Sequence, residues 1–294
     1  MKSRDNLHLI ILTLVVLIYF VILASSTSLA CNEQNASHTT VHEYAYIPNY
    51  GDGTVSVINI ATDAVFDTIH VGSNPIGVAV NPKMKRVYVT NNGDNSVSVI
   101  DTSSNNVIKT INVGSEPLGV AVSPDGTKVY VANHGEASVS VIDAATNTVI
   151  DTWDNVGVVP IGVEATSNEY LYVTHEISNG ITVVDTSNGN SRISPVGGFA
   201  SGVVATQNGE KAYVATQTGD GVFIFNTINL DYKTTHSSGS WPTGVAITPN
   251  GKKAYVANSG SNTVSVINTV TDSRIKTINA GHNPYAFGKF IATV

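Results

Sequence analysis

The sequence predicts an all-β fold: a six-bladed β-propeller with four antiparallel strands per blade. Three observations predict it. A motif opening on Tyr recurs at Tyr46, Tyr88, Tyr130, Tyr172, Tyr213 and Tyr255, a spacing of 41 or 42 residues. Each repeat holds four short β-rich runs separated by Gly, Asn, Asp or Pro. Beyond residue 30 no stretch shows the i, i+3, i+4 apolar spacing of an amphipathic helix. A period near 42 with four strands per unit is that of a propeller blade.

The elements follow in order. Lys2 and Arg4 lead into an apolar run from Leu9 to Ala24, broken by Thr13 and followed by small residues up to Ala30. Residues 1–30 therefore read as a signal peptide or membrane anchor. Cleavage after Ala30 would leave Cys31 first, similar to a lipoprotein box, although Ser28 stands where Leu is usual. A lipid on Cys31 would then tie the chain to a membrane. Residues 31–42 form a polar tether with a glycosylation sequon at Asn35. The expected location is extracellular or at the cell surface, free or membrane-anchored.

Residues 43–294 are expected to form the six repeats. Tyr46-Ile47-Pro48-Asn49 returns as Tyr88-Val89-Thr90-Asn91, Tyr130-Val131-Ala132-Asn133 and Tyr255-Val256-Ala257-Asn258. The fourth and fifth copies depart from it, ending in His175 and Thr216. A second register is the alternating run from Val55, repeated from Val97, Val139, Ile181, Val222 and Val264. A third is a Gly-Val pair at Gly77, Gly119, Gly162, Gly202 and Gly244, usually two residues after a Pro. Asn49, Asn91, Asn133 and Asn258 read as scaffolding for the turn after the Tyr strand, and so do Asp101, Asp143 and Asp185 after the third strand. The chain starts in the second strand of a blade and ends, from Pro284 onward, in what matches a first strand. The C-terminal strand is therefore expected to join the N-terminal blade and close the ring, removing exposed edges. A ring of seven blades, as many related propellers have, is the alternative.

Composition excludes several classes. The chain is 13% charged and 42% apolar, which rules out a disordered polymer. A net charge of −7 with 15 basic residues excludes a dedicated nucleic-acid binder. One Cys excludes a disulfide framework. No nucleophile elbow, phosphate-cradling Gly loop or helical pair of metal-binding His is present.

The repeat motif resembles that of YVTN-family β-propellers, found in archaeal surface-layer and cell-surface proteins and in lactonase-like bacterial proteins. The resemblance covers the chain after about residue 43. It implies the fold more sharply than the function.

The residue before each innermost strand should sit nearest the axis: Asn283, Asn74, Glu116, Val159, Ala200 and Trp241. Three oxygen-bearing side chains fall on adjacent blades, flanked by His282 and Tyr285, and Phe199 and Trp241 make the other arc apolar. Loops between second and third strands add His134, Glu136, His175, Glu176, Gln217 and Asp220. The candidate ligand-binding set is Asn74, Glu116, His134, Trp241, Asn283 and Tyr285, for a sugar, a lactone or a hard cation. His134 and His175, 41 residues apart, read as solvated loop histidines rather than a metal pair.

The leading expectation is a non-catalytic, envelope-associated binding scaffold that meets an envelope protein or glycan as a monomeric propeller, with no cofactor. The alternative is a calcium-dependent lactonase or lyase. Six-bladed lactonases, which this arrangement resembles, imply Ca²⁺ held here by Glu116, Asn74 and Asn283, with His282 or His175 moving protons.

Overall fold

A computed structural model describes residues 44–279, apart from 60, 61, 63, 178, 179, 197, 207, 219, 220, 228, 230, 236–238 and 249. These residues belong to the compact unit Glu43–Val294. The segment 1–30, Cys31, the tether 31–42, His282, Asn283, Tyr285 and the closing strand lie outside the described residues, as does Asp220. Among the described residues no helix is long and apolar enough to cross a membrane.

The described residues form six antiparallel sheets. The first has three strands, β1 (Tyr44–Asn49), β2 (Thr54–Asn59) and β3 (Ala64–His70). The second holds β4 (Pro75–Asn81), β5 (Arg86–Asn91), β6 (Ser96–Asp101) and β7 (Asn106–Asn112). The third holds β8 (Pro117–Val122), β9 (Lys128–Asn133), β10 (Ser138–Asp143) and β11 (Thr148–Trp153). In the fourth are β12 (Pro160–Ala165), β13 (Tyr170–His175), β14 (Gly180–Asp185) and β15 (Ser191–Pro195). The fifth is β16 (Ala200–Ala205), β17 (Lys211–Thr216), β18 (Gly221–Asn226) and β19 (Tyr232–Thr235). The sixth is β20 (Pro242–Ile247), β21 (Lys253–Asn258), β22 (Thr263–Asn268) and β23 (Ser273–Asn279). Four-stranded antiparallel sheets in a propeller-like fold are thus the architecture. Among the described residues no strand of the sixth sheet pairs with the first, and the segment expected to close the ring lies outside them.

Local chemistry explains the packing. The first strands β4, β8, β12, β16 and β20 lie side by side in that order, and their glycines make the close approach feasible. A Cβ on Gly77 would lie 2.2 Å from the Leu118 carbonyl oxygen, and one on Gly119 would lie 2.4 Å from that of Ile161. A buried Thr spans the gap: Thr90 Oγ1 accepts from Gly77 N (2.8 Å) and donates to Leu118 O (2.7 Å). Thr174 repeats this with Gly162 N and Ser201 O, both at 3.0 Å. The middle strands are apolar on both faces, because each sheet is covered by a neighbour on either side. Val87, Val89, Val97, Val99 and Ile100 are all fully buried.

The recurring Asn works as a hydrogen-bond hub. Asn91 Nδ2 donates to Ser96 and Ser98 Oγ at 2.9 Å each, and Asn133 does the same to Ser138 and Ser140. Asn49 and Asn258 make the equivalent bonds five and seven residues ahead. Asp101 accepts hydrogen bonds from the Ser104 hydroxyl and the Ser103 and Ser104 amides, and Asp143 from the Thr146 amide and hydroxyl and the Ala145 amide, which holds both carboxyls below the usual range.

Candidate functional site on the loop face

One face of the sheets carries two kinds of loop, those between second and third strands and those entering each first strand. The same backbone bond zips them together in five sheets, and a second one joins them in three of these. The residue before the first strand offers its carbonyl to the first amide after the second strand: Asn92 N to Asn74 O (3.0 Å), His134 N to Glu116 O (3.2 Å), Glu176 N to Val159 O (3.1 Å), Gln217 N to Phe199 O (2.8 Å) and Ser259 N to Trp241 O (3.0 Å). Asn74, Glu116, Val159 and Trp241 adopt left-handed backbone with φ of 51–53°. Because the main chain holds each loop pair, the side chains at these positions are released for other roles.

In the third and fourth sheets those side chains meet. His134 Nδ1 lies 3.3 Å from Glu116 Oε2, and its Nε2 lies 3.1 Å from Glu176 Oε2. The imidazole is 25% exposed and each carboxylate 60%, so the group is open to solvent. A neutral imidazole donates from only one nitrogen. Both contacts therefore form as hydrogen bonds together only when the ring carries two protons or one carboxyl is protonated.

Other expected residues are placed differently. His175 is not a solvated loop residue. It ends β13 and is buried at the repeat's Asn position, its Nε2 2.9 Å from Thr182 Oγ1. Burial lowers its pKa to about 4, with a backbone contact at Val158 acting against the shift. The ring fits because position 157 is Gly: a Cβ there would sit 2.5 Å from His175 Cε1. It therefore neither pairs with His134 nor faces the loop cluster as a proton carrier. The partner of His134 is Glu176, 42 residues on, in the equivalent loop. Ala200 is likewise corrected. It opens β16, and Phe199 holds the position before the strand. The cause is the missing Pro of the fifth repeat, which removes the marker used to align that entrance.

Asn74 is not joined to Glu116 by any hydrogen bond; its amide lies over Gly93 of its own sheet. Asn283 lies outside the described residues and the Glu116 carboxylate is turned to His134, so the described residues alone do not assemble the expected calcium set. Ca²⁺ needs 6–8 oxygen ligands, and the described residues hold no group of three or more His, Cys, Asp or Glu able to bind a metal.

A family model for "Lactonase, 7-bladed beta-propeller" matches residues 65–159 and 162–280. The chain belongs to this lactonase family. No curated protein matches it in sequence. Among solved structures, Kuenenia stuttgartiensis hydrazine synthase aligns with a TM-score of 0.72 at 22% identity, over 82% of this chain and 84% of that one. The dihydro-heme d1 dehydrogenase NirN, in complex with DHE, aligns with a TM-score of 0.64 at 16% identity, over 81% of this chain and 54% of that one. At these identities the likeness is one of fold. Family membership corrects two expectations. The blade count indicated is seven rather than six, because repeat length does not set the angle each wedge subtends. The non-catalytic envelope scaffold is overturned too: a lactonase-family propeller points to an enzymatic or ligand-binding role. The β-propeller assignment stands, without the surface-layer type that the motif resembled.

Proposed function

We propose that this lactonase-family chain opens lactone rings at the loop face, with His134 as general base. The observation that carries the reading is the placement of one imidazole between carboxylates of two neighbouring sheets. Glu116, on the same sheet as His134, fixes the ring through Nδ1 and balances the charge it gains. Glu176 has an exposed head, and a water molecule can take its place at Nε2. The water oxygen then attacks the lactone carbonyl carbon as its proton passes to Nε2. The ring C–O bond breaks, the alkoxide leaving group takes the proton back, and the product is a hydroxy acid. General-base catalysis of this kind contributes roughly 10²–10⁴ in rate.

A pH-stat assay over γ- and δ-lactones tests this. The parent should open at least one ring above the buffer rate, and His134→Gln should lower kcat/KM by about 100-fold or more. Glu116→Gln should fall less and shift the pH profile. A parent that opens no lactone, or a fully active His134→Gln, refutes the hydrolase reading.

A further inference from the structure

Resting on the lactone-opening reading of the same site, we propose that the substrate is a neutral lactone carrying an alkyl or aryl substituent, and that anionic lactones are rejected. Two independent features of the loop face support this.

The first is an apolar flank. Beyond Glu176 the loop face presents Val158, Ile177, Phe199 and Trp241, with Phe199 37% exposed and Trp241 63% exposed. Exposed apolar side chains on the outer strands recur at the same position, as Phe66, Ile108 and Ile150 do, and so belong to the repeat pattern. Those on the loop face are confined to some repeats. Where the second and third sheets carry Asn74 and Glu116 before the first strand, the fifth and sixth carry Phe199 and Trp241. The zipping bond is the same in all of them, so the aromatic rings are not required by the turn. Flat rings on the same face as a polar reactive group suit an apolar substituent whose head is held at His134.

The second is the sign of the charge. The loops of this face carry Asp52, Asp94, Glu116, Glu136, Asp154 and Glu176, and among the described residues no Lys or Arg. Every described Lys and Arg lies on an outer strand, or in the turn between first and second strands and the second-strand start beside it. A surface lined by one sign of charge lowers the local concentration of like-charged ligands, an effect that salt weakens. A phosphorylated or carboxylated lactone would meet this field with no cation to receive it.

The test compares four lactones on the full chain: δ-valerolactone, δ-decalactone, dihydrocoumarin and a phosphorylated sugar δ-lactone. The substituted neutral rings should exceed δ-valerolactone in kcat/KM by about tenfold, and the phosphorylated one should be poorest and improve with ionic strength. In Trp241→Ala the ratio between δ-decalactone and δ-valerolactone should collapse toward one, mainly through KM, while Trp241→Phe should keep most of it. Alkyl and phosphorylated δ-lactams, which resist hydrolysis, are titrated in parallel by calorimetry. Preferential binding of the alkyl lactam without turnover of any lactone would sink the hydrolase reading and leave only the selectivity of the loop face for neutral, substituted rings standing. A preference for the phosphorylated ring, or no binding of the alkyl lactam, overturns it.

Discussion

The third and fourth repeats put different side chains on the same backbone. Glu116 and Val159 occupy one position, Asn133 and His175 a second, His134 and Glu176 a third, and the loop-zipping bond is 3.2 Å in one repeat and 3.1 Å in the other. The third repeat keeps the Asn hub, with two buried bonds to Ser138 and Ser140. The fourth replaces it with an imidazole that makes one such bond and leaves Nδ1 buried without a hydrogen bond of good geometry. A repeat can thus lose scaffold chemistry and keep its fold, because the ladder and the loop bond are main-chain interactions. The site straddles the regular repeat and the altered one.

The sharpest way to break this comparison is pH. His175 has a folded-state pKa of about 4, below the unfolded value of about 6.5, because burial disfavours its charged form. The unfolded chain binds the proton first as pH falls. The stability that the neutral, buried ring represents is present above about pH 6.5 and drains away between there and pH 4, by up to about 3 kcal/mol. His175→Asn should flatten this part of the profile, so that the variant is more stable than the parent at acid pH. Urea denaturation across that window checks it, and an unaltered slope in the variant would show that the imidazole is not responsible.

Next in size is the hub itself. Asn133→Ala removes two buried hydrogen bonds and strands two buried hydroxyls, a cost of about 2 kcal/mol. His175→Ala at neutral pH loses only one such bond and should cost less of the hydrogen-bond contribution. Equal losses in denaturant midpoint would mean that the Asn is not the stronger hub.

The strands and the Asn scaffold were legible because three residue patterns keep one period, and a one-residue slip would turn every side chain of a strand to the other face. The site was half legible. Glu116, His134 and Glu176 stood out as polar residues at strand entrances and loops, but His134 and His175, 41 residues apart, were set in equivalent loops, one position short of the full period. Glu176 is found by adding 42 to His134, a step that needs no structure. Phe199 was displaced to Ala200 because the fifth repeat lacks its Pro, although Gly202, three residues beyond Phe199, keeps the register. Blade number was not legible: the wedge angle depends on side-chain bulk between sheets, which repeat length does not encode. Function was illegible from the motif for a plainer reason. Its Tyr, Val and Asn are all consumed by packing and turn chemistry.

The smallest expected effect concerns the Tyr of the motif. Tyr46 reaches Asn105 Oδ1 at 3.2 Å, Tyr88 reaches Asn147 Oδ1 at 3.2 Å, and Tyr213 reaches Asp272 Oδ1 at 2.6 Å. Each hydroxyl crosses to a turn of the next sheet, 59 residues on. The fourth repeat again departs: the Tyr172 hydroxyl is buried with no hydrogen-bond partner among the described residues, and burial pushes its pKa well up. Removing a bonded buried hydroxyl costs about 1 kcal/mol and orphans the acceptor, whereas removing an unbonded one relieves a desolvated group. Tyr88→Phe should therefore lower stability by about 1 kcal/mol, and Tyr172→Phe should leave it level or raise it slightly. Denaturant midpoints of the two variants decide it. If Tyr172→Phe costs as much as Tyr88→Phe, the fourth repeat holds a latch equivalent to the others, and the contrast drawn between the repeats at this position fails.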